Sequence, residues 1–185
     1  CPSMCKCAPE EIIHCNRAGL RALPGEIAAS TVSLNLSNNY LRILTTNTFR
    51  NLTFLHSLWL DGNNLTFLSP GTFHALSKLQ ELHLSYLHAN TFRGLLNLIS
   101  LDLSHCNIFE IHPLLFSHLP SLERLDLASN NMRYVPQAFR NLSSLTRLNL
   151  YLNNNQISSI SDSAFLHLNK LHFLHLSKNN LSSLP

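Results

Sequence analysis

Glycine is scarce in this chain, at five residues in 185, and the scarcity excludes whole classes of chemistry. There is no glycine-rich loop followed by Lys to cradle a phosphate, and no G-x-S-x-G turn to lift a serine nucleophile out of a sheet. Ser, His and Asp are abundant, so a triad picked from them carries no information. The eleven histidines include no His-x3-His pair on an expected helix. No catalytic residue, cofactor or metal site is therefore expected. Long apolar runs are missing too. None approaches the roughly 20 residues that cross a bilayer, and the chain opens on Cys1 rather than on a basic stretch ahead of an apolar core. Any targeting or anchoring segment is expected to have been removed or to lie outside this sequence. Charged residues make up only 12%, but 45% are apolar, which is too much for a disordered chain, so one folded domain is expected. The 13 Lys and Arg residues are dispersed, with no basic run interleaved with aromatics, and nucleic acid is not expected as a partner.

Leucine, by contrast, is plentiful and periodic. Leu34-Asn35-Leu36-x-x-Asn39-x-Leu41 begins a motif that occurs seven times, about every 24 residues, and ends at Leu174-His175-Leu176-x-x-Asn179-x-Leu181. L-x-x-L-x-L-x-x-N/C-x-L is the pattern of the leucine-rich repeat, a strand and a return loop that cannot bury their apolar face without a neighbour. The expected fold is an α/β solenoid, a right-handed horseshoe with a parallel sheet on its concave side and a disulfide-bonded N-terminal cap. Residues 1–30 are read as the cap, in which Leu20, Leu23 and Ile27 cover the open end of the first repeat. Residues 31–185 are read as repeats, with units at 31–54, 55–78, 79–97, 98–121, 122–144 and 145–170 and a partial seventh from Leu171.

Side chains alternate along a strand, so Leu58 and Leu60 should face the core while Ser57, Trp59 and Asp61 face solvent. The ninth-position asparagines, Asn39, Asn63, Asn130, Asn155 and Asn179, fall where the chain leaves the strand, and their amides can satisfy backbone groups of neighbouring turns. Cys106 takes that position in the fourth unit and reads as a buried free thiol. Histidines such as His74, His112, His118 and His167 fall on loop or convex positions. Two units break the period. The third lacks five residues, with Leu82-His83-Leu84-Ser85-Tyr86 running straight into Leu87. The sixth is two residues long around Tyr151-Leu152-Asn153-Asn154, where a bulge is expected. The chain stops at Pro185 without a second cysteine cluster, which reads as part of a longer protein or as an end covered by a partner.

Four of the five cysteines, Cys1, Cys5, Cys7 and Cys15, fall in the first fifteen residues. An even local cluster reads as two disulfides and an oxidising, secretory location. Cys5 and Cys7 are so close that each would more naturally reach out to Cys1 or Cys15 than to the other. Zinc is the rival reading, with His14 beside Cys15, but Cys-x-Cys alone is poor tetrahedral spacing. Sequons at Asn35, Asn51, Asn64, Asn141 and Asn180 suit a secreted chain.

On the solvent side of the strands the register collects Trp59, Asp61, Glu81, His83, Tyr86, Asp102, His105, Arg124, Asp126, Arg147 and Tyr151, with His175 and Lys178 beyond. The first strand offers only Ser33, Asn35 and Ser37. Trp, Tyr and Arg dominate binding energy at protein interfaces, so this patch is the expected protein-binding site. A glycan on Asn35 would confine a protein ligand to the later strands. Protonation of His83 or His105 below about pH 6.5 would alter binding.

The run Cys1-Pro2-x-x-Cys5-x-Cys7-x7-Cys15, the following Leu20-x-x-Leu23-Pro24, and the repeats with Phe49, Phe73, Phe92, Phe116, Phe139 and Phe165 resemble extracellular leucine-rich-repeat proteins with an N-terminal cysteine cap. These include Slit, the Nogo receptor, lamprey variable lymphocyte receptors and Toll-like receptor ectodomains. Leu58-Trp59-Leu60, Cys106 in the ladder and Val135-Pro136-x-Ala138-Phe139-Arg140 are most similar to the Nogo-receptor branch. The resemblance implies Cys1–Cys7 and Cys5–Cys15 pairing. It also implies a secreted or membrane-tethered module, part of a receptor or adhesion protein, that binds protein on its concave face. Antigen receptors of the variable lymphocyte type and matrix-organising proteins are the alternative classes.

Overall fold

Alternation of leucine with polar residues sets one short strand in each unit, and the stacking of those strands makes the fold. The computed structural model describes residues 1–88, 90–112, 115–135, 147–161, 164–165 and 171–182. Asn141, Phe139, the stretch from Pro136 to Arg140, and His167 lie outside the described residues. Strand β1 (Lys6–Ala8) turns back antiparallel onto β2 (Ile12–His14). From β2 every step along the sheet is parallel, through β3 (Ser33–Asn35), β5 (Ser57–Trp59), β7 (Glu81–His83), β8 (Ser100–Asp102), β9 (Arg124–Asp126), β10 (Leu148–Tyr151) and β11 (Leu171–His175). On the outer limb, β4 (Ile43–Leu44) pairs with β6 (Phe67–Leu68).

The register places one apolar residue of each strand over the next: Ile13, Leu34, Leu58, Leu82, Leu101, Leu125, Leu150 and Leu174 form a column. From Leu34 to Leu150 its members are fully closed to solvent. Two residues further on, Leu36, Leu60, Leu84, Leu103, Leu127 and Leu152 form a second buried column, and Cys15, also fully closed, heads it. The cap is therefore stapled through the core itself, with Cys5 bonded to Cys15 and Cys1 bonded to Cys7. A third line runs through Phe49, Phe73, Phe92 and Phe116, with the first two rings 5.9 Å apart. The return limbs are built of turns. Leu52, Leu76, Leu95 and Leu119 each donate an N–H to the phenylalanine carbonyl three residues before. Among the described residues the one helical element is a 3-10 turn, Leu115–His118.

The asparagine ladder links these coils. Asn130 donates to Leu127 O (2.9 Å) in its own coil and to Leu103 O (3.0 Å) in the coil before, while its carbonyl accepts from Cys106 N (2.9 Å) and Ile108 N (3.0 Å). Asn39 does the same for the cap, donating to Cys15 O and accepting from Ala18 N and Leu20 N. Each amide thus closes its own strand exit and finishes the turn of its predecessor. Cys106 performs only the donor half, with its thiol 3.1 Å from Leu84 O. The shortened third unit has lost the residues that would present the matching N–H groups, so a weak acceptor suffices there. Cys106 is free and half-buried. Burial first, then the Asp102 and Asp61 carboxylates, push its thiol up to about 12, so it stays protonated as a donor.

Beside each of these positions the backbone turns left-handed. Asn38, Gly62, His105, Ser129, Asn154 and Lys178 all have φ between 56° and 70°. Asn and Gly suit that conformation, and His105, Ser129 and Lys178 are held in it by the repeat.

Candidate functional site

Outward side chains of neighbouring strands fall into rows because the sheet is parallel and in register. One row runs Asn35, Trp59, His83, Asp102, Asp126, Tyr151, His175. The row beside it runs Ser33, Ser57, Glu81, Ser100, Arg124, Asn149, Phe173. The Trp59 indole stacks on the His83 ring with centroids 5.1 Å apart and planes within 10°. His83 Nδ1 lies 2.9 Å from Asp102 Oδ2, and its Nε2 lies 2.7 Å from Glu81 Oε1. Further along, the Arg124 guanidinium sits 4.5 Å over the Tyr151 ring and 3.4 Å from Asp126. Tyr151 in turn packs on Phe173 at 5.2 Å. The face therefore holds two clusters, an indole–imidazole stack braced by carboxylates and an Arg–aromatic group.

Some of these residues also serve the fold. Asp102 and Asp126 each accept the N–H two residues on, at Ser104 and Ala128, both 2.9 Å away, and Asn35 does so from Ser37. Such contacts close the strand exit locally. Asp61 accepts the Ser37 hydroxyl at 2.6 Å.

Three sequence candidates lie elsewhere. Tyr86 follows the strand by three residues and, with the turn of its unit missing, packs half-buried against the core on the flank. His105 is exposed in the left-handed turn position and is not part of the His83–Asp102 pair. Arg147 is exposed and precedes β10. Asn149 stands opposite Arg124 instead. The reason is the register, which sets Leu150 rather than Leu148 opposite Leu125; the irregularity falls not at Tyr151–Asn154 but in the facing strand, where His172 is the extra residue between Leu171 and Phe173 against consecutive Leu148 and Asn149. Phe173, 47% exposed, is a face residue that the sequence reading omits, although the rule that selects Glu81 and Arg124, the position before the strand leucine, also selects it. Of the sequons, Asn51, Asn64 and Asn180 are exposed, and Asn35 is half-buried on the sheet face. Among the described residues no group of three His, Cys, Asp or Glu could hold a metal ion.

Burial disfavours the charged His83 ring, but the hydrogen bonds it donates to Asp102 and Glu81, with their negative charges, outweigh it and hold its pKa above the ordinary 6.5. Burial likewise raises Asp102, yet the hydrogen bonds of His83 and Ser104 bring it down to about 2. The His83 contribution to stability is then fully present below pH 6.5 and is lost as pH rises through the higher folded value. The Asp102 contribution is present above its ordinary 3.8 and is lost as pH falls through about 2. An NMR titration of the His83 ring should give a midpoint above 6.5, and Asp102→Asn should lower it. A wild-type midpoint at or below that value would contradict the carboxylate bracing.

Stacked leucine coils behind a disulfide-bonded cap, with a polar and aromatic strand face, define an extracellular leucine-rich solenoid. The family profile described as leucine rich repeat matches residues 29–88, 83–132 and 96–151, and the chain belongs to that family. Keratocan of Gallus gallus is 30% identical over 191 residues, covering 100% of this chain and 47% of its own length. Reticulon-4 receptor-like 2 of Homo sapiens is 38% identical over 85 residues, covering 45% of this chain and 20% of its own. Among solved structures, that of the TLR13–ssRNA13 complex superposes with a TM-score of 0.79 at 31% identity, covering 89% of this chain and 24% of that one. The chain spans about half the length of keratocan. No helix among the described residues is long and apolar enough to cross a membrane.

Proposed function

We propose that this chain is the protein-binding part of a cell-surface receptor or adhesion protein, with residues 1–30 as cap and 31–185 as repeats, and that it holds its ligand on the concave sheet face. The observation that carries the reading is the pair of half-exposed clusters, Trp59 stacked on His83 and Arg124 over Tyr151, because Trp, Tyr and Arg anchors dominate interfaces. Asp61, Glu81, Asp102 and Asp126 complete the patch, and Phe173 and His175 extend it. Tyr86, His105 and Arg147 stand at its margins. Four carboxylates against the single Arg124 make this a poor surface for a phosphate backbone, so the ligand is a protein, although the TLR13 structure holds single-stranded RNA. No catalytic group or cofactor enters the reading.

The test is a screen of the purified chain against extracellular and cell-surface proteins, followed by Kd measurements on any hit. Trp59→Ala and Tyr151→Ala should each weaken binding by about 30-fold, a loss of about 2 kcal/mol. Arg147→Ala should stay within about twofold. Unchanged binding in both aromatic variants would move the site off this face. A second reading, a matrix-organising protein, is supported by keratocan and lumican, which match over the whole of this chain. Retention on fibrillar collagen with no cell-surface hit would select it.

A further inference from the structure

The third unit is five residues short, and the structure shows which five. Its return limb keeps step with the second unit: Thr91 N–H donates to His88 O at 3.0 Å, as Thr72 N–H donates to Ser69 O at 3.1 Å. Its strand also keeps step, since Leu84 is buried like Leu60. What is absent lies between them, the turn that in the second unit reads Asp61-Gly62-Asn63-Asn64-Leu65. Neighbouring strands are about 4.8 Å apart, so the loss of one turn leaves about 10 Å between the turns on either side, room for a single extended chain.

Exposure follows this gap. Asn39, Asn130 and Asn155 are buried, and so are Leu41, Met132 and Ile157 two residues beyond them. Asn63, Leu65 and Cys106, which border the gap, are only half-buried, whereas Ile108 on its far side stays buried. The apolar surface left open by the gap is therefore that of the second unit. The β4–β6 pairing is not continued to Tyr86 and Leu87 among the described residues. Two adjoining cavities, of about 520 and 640 Å³, fill the gap and share Ser85, Cys106 and Asn107. Asp61 and Asp102 edge the inner one. Tyr86, Leu87, Ile108 and Phe109 edge the outer one, and Phe109 is 58% exposed.

We propose that this cleft receives one extended segment of a partner protein, placing an aliphatic side chain against Leu65, Leu87 and Phe109 and a Lys or Arg beside it against Asp61. The aliphatic group covers the apolar surface that the missing turn would have covered. The cation answers Asp61, which no Lys or Arg of this chain pairs among the described residues, whereas Asp102 is already held by His83 and Ser104. The site lies on the flank and shares only Asp61 with the Trp59–Tyr151 face.

A phage-displayed library of random heptapeptides, panned against the whole chain, tests the proposal. Enriched peptides should carry Leu, Ile or Met within two residues of Lys or Arg, and should shift the methyl resonances of Leu87 and Ile108. A copy of residues 61–65 inserted after Leu84 refills the gap, and peptide affinity should then fall by about tenfold or more. Should that variant not fold, Phe109→Lys, at an exposed position, should lower affinity by about tenfold. Acidic or featureless selections, or wild-type affinity in both the gap-filled chain and Phe109→Lys, would overturn the proposal. So would shifts confined to Trp59 and Tyr151, which would leave the sheet-face reading standing. Dimerisation of the wild type that the insertion abolishes would make a second copy the occupant and would equally overturn it.

Discussion

Asn130→Ala is expected to cost about 4 kcal/mol of stability, more than an ordinary surface or single-bond substitution. The side chain is 5% exposed and makes four close contacts with main-chain groups: two carbonyls, Leu103 O and Leu127 O, and two N–H groups, Cys106 N and Ile108 N. Alanine leaves three of them, Leu103 O, Cys106 N and Ile108 N, without their partner, since Leu127 O still accepts from Asn155, and each unsatisfied buried group costs about 1–3 kcal/mol. Water entering at the turn would recover part of that sum. Urea unfolding with the disulfides intact measures the loss as a lower midpoint at an unchanged slope. Asn179→Ala serves as the internal comparison. Its contacts are similar, but the residue is half-buried, so solvent replaces the amide and the cost should be about 1 kcal/mol. Equal costs at the two positions would show that the ladder does not work through buried main-chain groups.

Leu101→Ala should cost about 3 kcal/mol, within the range for deleting a fully closed leucine. Leu101 is 0% exposed and lies between Leu82 and Leu125, themselves fully closed. A cavity in the middle of a column has strands locked on both sides and little freedom to collapse. Leu174→Ala removes the same atoms from a half-buried site at the edge of the described stack and should cost about 1 kcal/mol. The contrast between the two, measured in the same denaturant series, separates cavity formation from transfer alone. A cost below about 1 kcal/mol at Leu101 would contradict the close packing of the column.

The parts of this fold that depend on short-range pattern are readable from the chain, because the alternation that makes Leu58 and Leu60 inward also makes Trp59 outward. The same local rule gives the parallel sheet, since each coil repeats the last. The sixth unit is different. Leu145, Leu148, Leu150 and Asn153 fit the pattern except that Asn155 takes its last leucine position, while Leu150, Leu152, Asn155 and Ile157 fit it except that Arg147 takes the first, so each register misses one position and the count does not separate them. Contact with neighbours does. Asn155 accepts from Met132 N and donates to Leu127 O, and Asn179 donates to Leu152 O. That alignment takes Arg147 out of the row. Tyr86 is misplaced for a related reason, because counting onward from the strand assumes a turn that the third unit lacks. The left-handed residue in each coil has a sequence preference behind it only where it is Gly or Asn. His105, Ser129 and Lys178 carry no propensity that announces it. The bracing of His83 by two carboxylates belongs to the register: Glu81 is two residues away on the same strand, and Asp102 comes from the next.

The backward reach of the asparagine amides gives the molecule a polarity. Asn39 supplies partners to Cys15, Ala18 and Leu20, so the capped segment is incomplete without the first coil. Asn130 then supplies Leu103, Cys106 and Ile108, and Asn155 and Asn179 supply the coils before them in the same way. Each coil completes the one before it, so the stack is finished by additions on one side only.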